Sequence, residues 1–267
     1  MLTPELATSL LERNQHNRPL SQAHVERIAK QIVEGKWKFN GDTIKVSDSG
    51  DVLDGQHRLW AEIEAKKPIE TIIVYGVPRD AFATIDTIRK HRNGGDVVAL
   101  SGQVRYRTIV AGALGWLLRW QRDTIEKHRS AEARIENSDI EEAFEAHGTG
   151  MLRAAERVRN LRGLVNQPIL AFFYYVLANR DAELAERMVN TLEDPAGVAT
   201  TDPFFKLRAF FTADHHKRKE PTVVIALCIK AANAAHRDEK VGMLTWKNQG
   251  ARREEFPILA IDQGRIK

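Results

Sequence analysis

Strand patterning in this chain of 267 residues stops before residue 100, and that change limits the fold more than any other feature. TIKVSDSGDVLD, residues 43–54, reads as two short strands joined at Asp48-Ser49-Gly50, because alternating apolar residues flank a turn tripeptide. ETIIVYGV, residues 70–77, is the clearest strand, rich in the branched and aromatic side chains that suit a pleated surface. From about residue 101 onward the apolar residues recur at three- and four-residue spacing, the period of helices that bury one face. Helices are expected near 103–122, 138–147, 149–162, 167–179, 181–193, 203–213 and 220–237. The expected fold class is therefore α+β: a small α/β domain over 1–100, then a mostly α-helical domain over 101–267.

Inside the first hundred residues the helix signals are local. Leu2 to Arg13 has helical apolar spacing, and Ser21 is placed to cap a second helix through Val25, Ile28, Ile32 and Val33 to a stop at Gly35. A third helix is expected from Gln56 to Lys66, ended by Pro68, with a short helical segment near Asp80 to Thr87. Gly94-Gly95 reads as a loop. With no internal repeat and no low-complexity linker, the two parts are expected to pack against each other.

Composition removes several classes of function. No run of 18 apolar residues exists to span a membrane, and charges occupy the first twenty residues where a signal peptide needs an apolar stretch, so a soluble cytoplasmic protein is expected. The single cysteine, Cys228, rules out a disulfide within the chain, argues against a cysteine-based zinc site, and reads as a small buried hydrophobe in VVIALCIKAA. The net charge of +4 is concentrated late, with 13 Lys and Arg against 8 Asp and Glu after residue 200. A basic end can meet nucleic-acid phosphates, and it can equally serve solubility.

The densest chemistry lies in VLDGQHRLWA, residues 52–61, where Asp54, Gly55, Gln56, His57 and Arg58 fill a strand-to-helix junction. A helix N-terminus leaves backbone N–H groups unpaired and carries partial positive charge, so a glycine turn there can cradle phosphate. Gly55 permits close backbone approach, Arg58 can clamp phosphate oxygens as an exposed fork, and His57 can add a contact or move a proton. Asp54 reads either as a capping acid or as a catalytic one.

The order of elements around this turn resembles the N-terminal domain of the ParB/sulfiredoxin-like superfamily. Asn17-Arg18-Pro19 is similar to its first polar motif, HVERIAKQIVEGKW to the helix that follows, and LDGQHRLWAEIEA to its phosphate turn and helix, over roughly residues 14–100. DGQHR itself looks like the signature of the phage and DNA-modification-linked branches. The resemblance implies a bound nucleoside triphosphate, with Asn17, Arg18, Gly55, Gln56, His57 and Arg58 at the phosphates.

Departures from the relatives matter as well. Gln56 stands where the sulfiredoxin branch has its catalytic cysteine, and an amide cannot act as a thiolate, so sulfiredoxin chemistry is excluded. Ile85-Asp86-Thr87-Ile88-Arg89 is similar in position to a second motif of the chromosome-partitioning branch, which would make Asp86 a magnesium ligand and Arg89 a phosphate contact. The basic segment from Arg89 to Asp96 reads as a solvated loop or as a flap that brings Arg89 and Arg92 over the phosphates.

Elsewhere the signals are weaker. His215-His216-Lys217-Arg218-Lys219 reads as a solvated loop, Trp116 and Trp120 and the FFYY run at 172–175 as core, and Arg153, Arg157, Arg159 and Arg162 as a mixed or phosphate-seeking helix face. The leading expectation is a nucleotide-binding ParB-like protein acting in DNA transactions, with hydrolysis or transfer of phosphate left open. The alternatives are a nuclease or nucleic-acid-modifying enzyme and a non-enzymatic DNA-binding regulator. The partners expected are nucleotide and DNA, with a homodimer left open as the assembly.

Overall fold

A computed structural model of the chain describes residues 1–14, 19–84, 94–100, 102, 105–213, 219–250 and 253–261. It is α+β and mostly helical, with ten α-helices and one three-stranded sheet among the described residues. Contacts divide it into two units, Met1–His91 and Arg92–Lys267. No helix among the described residues is long and apolar enough to cross a membrane.

The first unit begins with α1 (Pro4–Leu11), where Pro4 opens the helix and the Thr3 hydroxyl accepts from Leu6 N–H at 3.4 Å. In α2 (Gln22–Val33), Val25, Ala29 and Ile32 recur at helical spacing and are buried. Its end comes at Gly35, whose φ of 72° is a left-handed turn that glycine adopts without cost. Strands β1 (Thr43–Ser47) and β2 (Val52–Asp54) pair antiparallel across the expected turn, with Lys45 opposite Asp54 and Val46 opposite Val52. The chain then enters α3 (Gln56–Ala65) and returns as β3 (Ile72–Val77), parallel to β1, giving the order β2-β1-β3.

Leu2, Val25, Ile32, Ile44, Val46 and Leu59 share one core, and a short bridge between Leu2 and Ile69 fastens the start of the chain to it. Burial of each such side chain is worth about 1.5–3 kcal/mol. The strand that the sequence marks most clearly is the least buried. Ile72, Val74 and Tyr75 of β3 are 41%, 39% and 60% exposed, and the strand order puts β3 at an edge of the sheet, beside β1.

The second unit is a helical assembly of α4 (Gly94–Leu100), α5 (Arg107–Gln121), α6 (Asn137–Arg157), α7 (Gln167–Ala178), α8 (Ala182–Glu193), α9 (Pro203–Thr212) and α10 (Pro221–His236). Two expectations are corrected here. Gly94-Gly95 opens a helix and is not a loop, since a side chain on Gly94 would press on Ala111 and Ile140 of the helices it packs against. The helices expected at 138–147 and 149–162 are largely one, α6, with a separate 3-10 turn at Arg159–Leu161. Gly148 and Gly150 are no break in it: a Cβ at either would meet the ring of Phe144 at 2.9 Å or of Tyr175 at 2.5 Å.

The core of this unit takes in Phe172 and Phe173, fully buried, while Trp120 lies against Phe172 with ring centroids 6.0 Å apart. Tyr174 and Tyr175 of the same run are half-buried and use their hydroxyls, on Glu186 and His147 respectively. Cys228 is fully buried, which pushes its thiol well above the usual range and leaves it inert. Arg157 is turned inward to Glu186 at 2.8 Å and Glu193 at 3.1 Å, so the arginine face expected at 153–162 loses its central member to an ion-pair network. That network holds the Glu186 carboxyl below its ordinary range against burial, and burial together with Glu186 pushes the Tyr174 hydroxyl up to about 12.

Candidate functional site

Gly55 is the residue on which the Asp54–Arg58 turn is built. It caps the start of α3 with φ 98° and ψ 8°, and a Cβ there would sit 2.9 Å from Ile44 Cγ1 and 3.3 Å from Ile44 Cα. The close approach expected of this glycine is therefore made to the neighbouring strand β1. It brings the first turn of α3 onto the sheet.

The side chains around it are tied in. Asp54, the last residue of β2, holds Lys45 Nζ at 2.7 Å and lies 3.6 Å from Arg58. Arg58 donates to the Thr43 carbonyl at 2.8 Å, and its side chain is 16% exposed, so it is a strut between α3 and β1 and not the exposed fork expected. Gln56 accepts from Asn14 Nδ2 at 3.2 Å, which fastens the turn to the segment that leaves α1.

His57 makes the contact that defines the site. It is 9% exposed, and its Nε2 accepts from Ser21 N–H at 3.2 Å, joining the first turn of α3 to the cap residue of α2. Acceptance at Nε2 places the proton of the neutral ring on Nδ1. The ring meets His24 edge-to-face at 4.8 Å, and His24 Nδ1 is 2.6 Å from an Arg27 nitrogen. His24 was not legible as part of a site, since nothing in its neighbourhood ties it to a residue 33 positions on.

Two helix N-termini thus converge; neither has an acid in its first turn, and the N-cap residues Ser21 and Gly55 make no capping bond with a side chain of their own. Their partial positive charges add to Arg27, Lys45 and Arg58, against the carboxylates of Asp54, which holds Lys45, and of Glu64, which accepts from Gln22 at 3.3 Å, among the described residues. The place is electropositive and rich in backbone donors, suited to an anion. Catalytic use of Asp54 or His57 would have to break the contacts that now hold them.

Asn17, Arg18, Asp86, Arg89 and Arg92 lie outside the described residues, as do His215 to Arg218. Among the described residues no group of three or more His, Cys, Asp or Glu stands together as a metal site. With Asp54 committed to Lys45, a donor set for magnesium is not assembled at this turn among those residues. No family model, no curated protein and no solved structure matches this chain.

Proposed function

We propose that the first unit binds the phosphates of a nucleoside triphosphate where α2 and α3 begin, in the manner of a ParB/sulfiredoxin-like domain, and that the chain acts in DNA transactions. The observation that carries this reading is the His57–Ser21 contact, which joins two helix N-termini without an acid in the first turn. A phosphate oxygen arriving there takes over the Ser21 N–H that His57 now holds, and the freed imidazole becomes a second partner for the ligand. The nucleotide and the link to DNA rest on the motif resemblance. The resemblance also assigns Asn17, Arg18 and Arg89 to those phosphates and Asp86 to a magnesium ion.

The test removes one donor without touching a charge. Ser21→Pro deletes the amide hydrogen and suits the φ of −96° at that position to within about 30°. Nucleoside triphosphates, with and without magnesium, are expected to raise the melting temperature of the parent protein, since ligand at a hundred times its Kd adds about 2.7 kcal/mol. Ser21→Ala keeps the N–H and keeps the shift. Ser21→Pro loses the shift while its unliganded stability falls by only about 1 kcal/mol. An equal shift in Ser21→Pro and the parent overturns the assignment. DNA engagement is expected as affinity that falls steeply between 50 and 200 mM salt, as counterion release requires.

A further inference from the structure

Glu62 lies two turns into α3 from the candidate site and is fully buried. Both of its carboxylate oxygens lack a hydrogen-bond partner. Among the described residues, its surroundings offer no compensating cation. From α1 the charge that acts on it is Glu5, a like charge, and Glu5 is itself held below its usual range by its own backbone N–H and the Thr3 hydroxyl, so it stays ionised near neutrality. The buried face of α2 is Val25, Ala29 and Ile32, and β1 contributes Ile44 and Val46 to the same core. On α3 itself, Arg58 one turn earlier is committed to Thr43 and Asp54, and Lys66 one turn later is exposed. Burial, then Glu5, pushes the Glu62 carboxyl up to about 7.

We propose that Glu62 is a proton-operated latch for the N-terminal helix: protonated, it lets α1 close on α3; ionised, it drives α1 away and loosens the turn at Gln56. The link to the turn is direct. Asn14, just past α1, donates to Gln56, and α3 carries both Gln56 and Glu62. Among the described residues α1 is held by the burial of Leu2, Ala7 and Leu10, the partial burial of Leu11, the Leu2–Ile69 bridge and the Asn14–Gln56 bond. An unpartnered carboxylate facing a second negative charge is of a size to compete with that. The inference does not depend on the phosphate reading, because neither Glu62 nor Glu5 is asked to bind a ligand.

The sign follows from linkage. In the open state Glu62 is solvated and titrates near 4.5, whereas in the closed state it holds its proton up to about 7. Closure is therefore fully favoured below about pH 4.5, weakens as pH rises towards 7, and levels off above it. Hydrogen exchange of the α1 amides in the full-length protein, corrected for intrinsic rate, is expected to show protection falling about tenfold per pH unit between pH 5 and 7. Amides of α10, in the second unit, serve as the internal control. Glu62→Gln is expected to flatten the profile, and the same slope in variant and parent overturns the proposal. If that variant does not fold, Glu5→Gln, at an exposed position, gives the answer: it should move the levelling point to lower pH, and an unmoved point overturns the proposal equally.

Discussion

Gly55→Ala is expected to lower the stability of the first unit by about 2–4 kcal/mol, a fall of roughly 10–20 °C in its melting temperature. Two costs combine. A φ of 98° is left-handed backbone, which a residue with a Cβ occupies at about 1–2 kcal/mol. The added methyl must also displace Ile44, whose Cγ1 would be 2.9 Å away and whose Cα 3.3 Å, in a strand that cannot retreat because β2 and β3 flank it. Gly55→Asn separates the two, since asparagine tolerates left-handed backbone but brings the same Cβ. If contact with Ile44 dominates, Asn is as damaging as Ala; if backbone strain dominates, Asn is clearly milder. Calorimetry that resolves the two units should show the second transition unmoved, and unchanged stability of the first in Gly55→Ala would mean that the turn does not pack on β1 as described.

How far such a site is legible in sequence depends on the range of the forces that shape it. Gly35 and the Asp48–Gly50 turn act on their own neighbours, so the end of α2 and the β1–β2 hairpin follow from local chemistry, whereas Ser21 stands at the expected N-cap position without a side-chain cap and is held through its N–H by the distant His57. The DGQHR turn is legible for the same reason, as a strand end, a glycine and a helix start in succession. What is not legible is where its side chains point. Arg58 reads as an exposed clamp until the Thr43 carbonyl, fifteen residues away in sequence, is brought beside it.

Glycines in the second unit mislead in a related way. The expected break between 147 and 149 falls at Gly148, since local preference knows nothing of the Phe144 ring that needs its space or of the Tyr175 ring packed at Gly150. Glu62 was open to detection, because Leu59, Glu62 and Ala65 follow one another at three-residue spacing on a buried helix face. A lone acid on an apolar stripe is a signal that sequence periodicity carries.

For the second unit, Phe172→Ala is expected to cost about 3–5 kcal/mol, the range for emptying a buried aromatic site. Phe172 is fully buried on α7, with Phe173 beside it and the Trp120 ring of α5 across from it. Truncation loses the transfer free energy of the ring and leaves a void that helices fastened to one another cannot readily fill. α7 is joined to α8 by Tyr174 on Glu186, and to α6 by Tyr175 on His147, so it is tethered on both sides of the cavity. In a unit of this size the loss corresponds to a melting temperature lower by roughly 10 °C. Phe172→Leu, which keeps much of the volume, should recover most of it. Phosphate-ligand stabilisation of the first unit gives the decisive contrast. If the nucleotide site is contained in the first unit, its ligand-induced shift survives Phe172→Ala intact; loss of that shift would show that the second unit is part of the binding site.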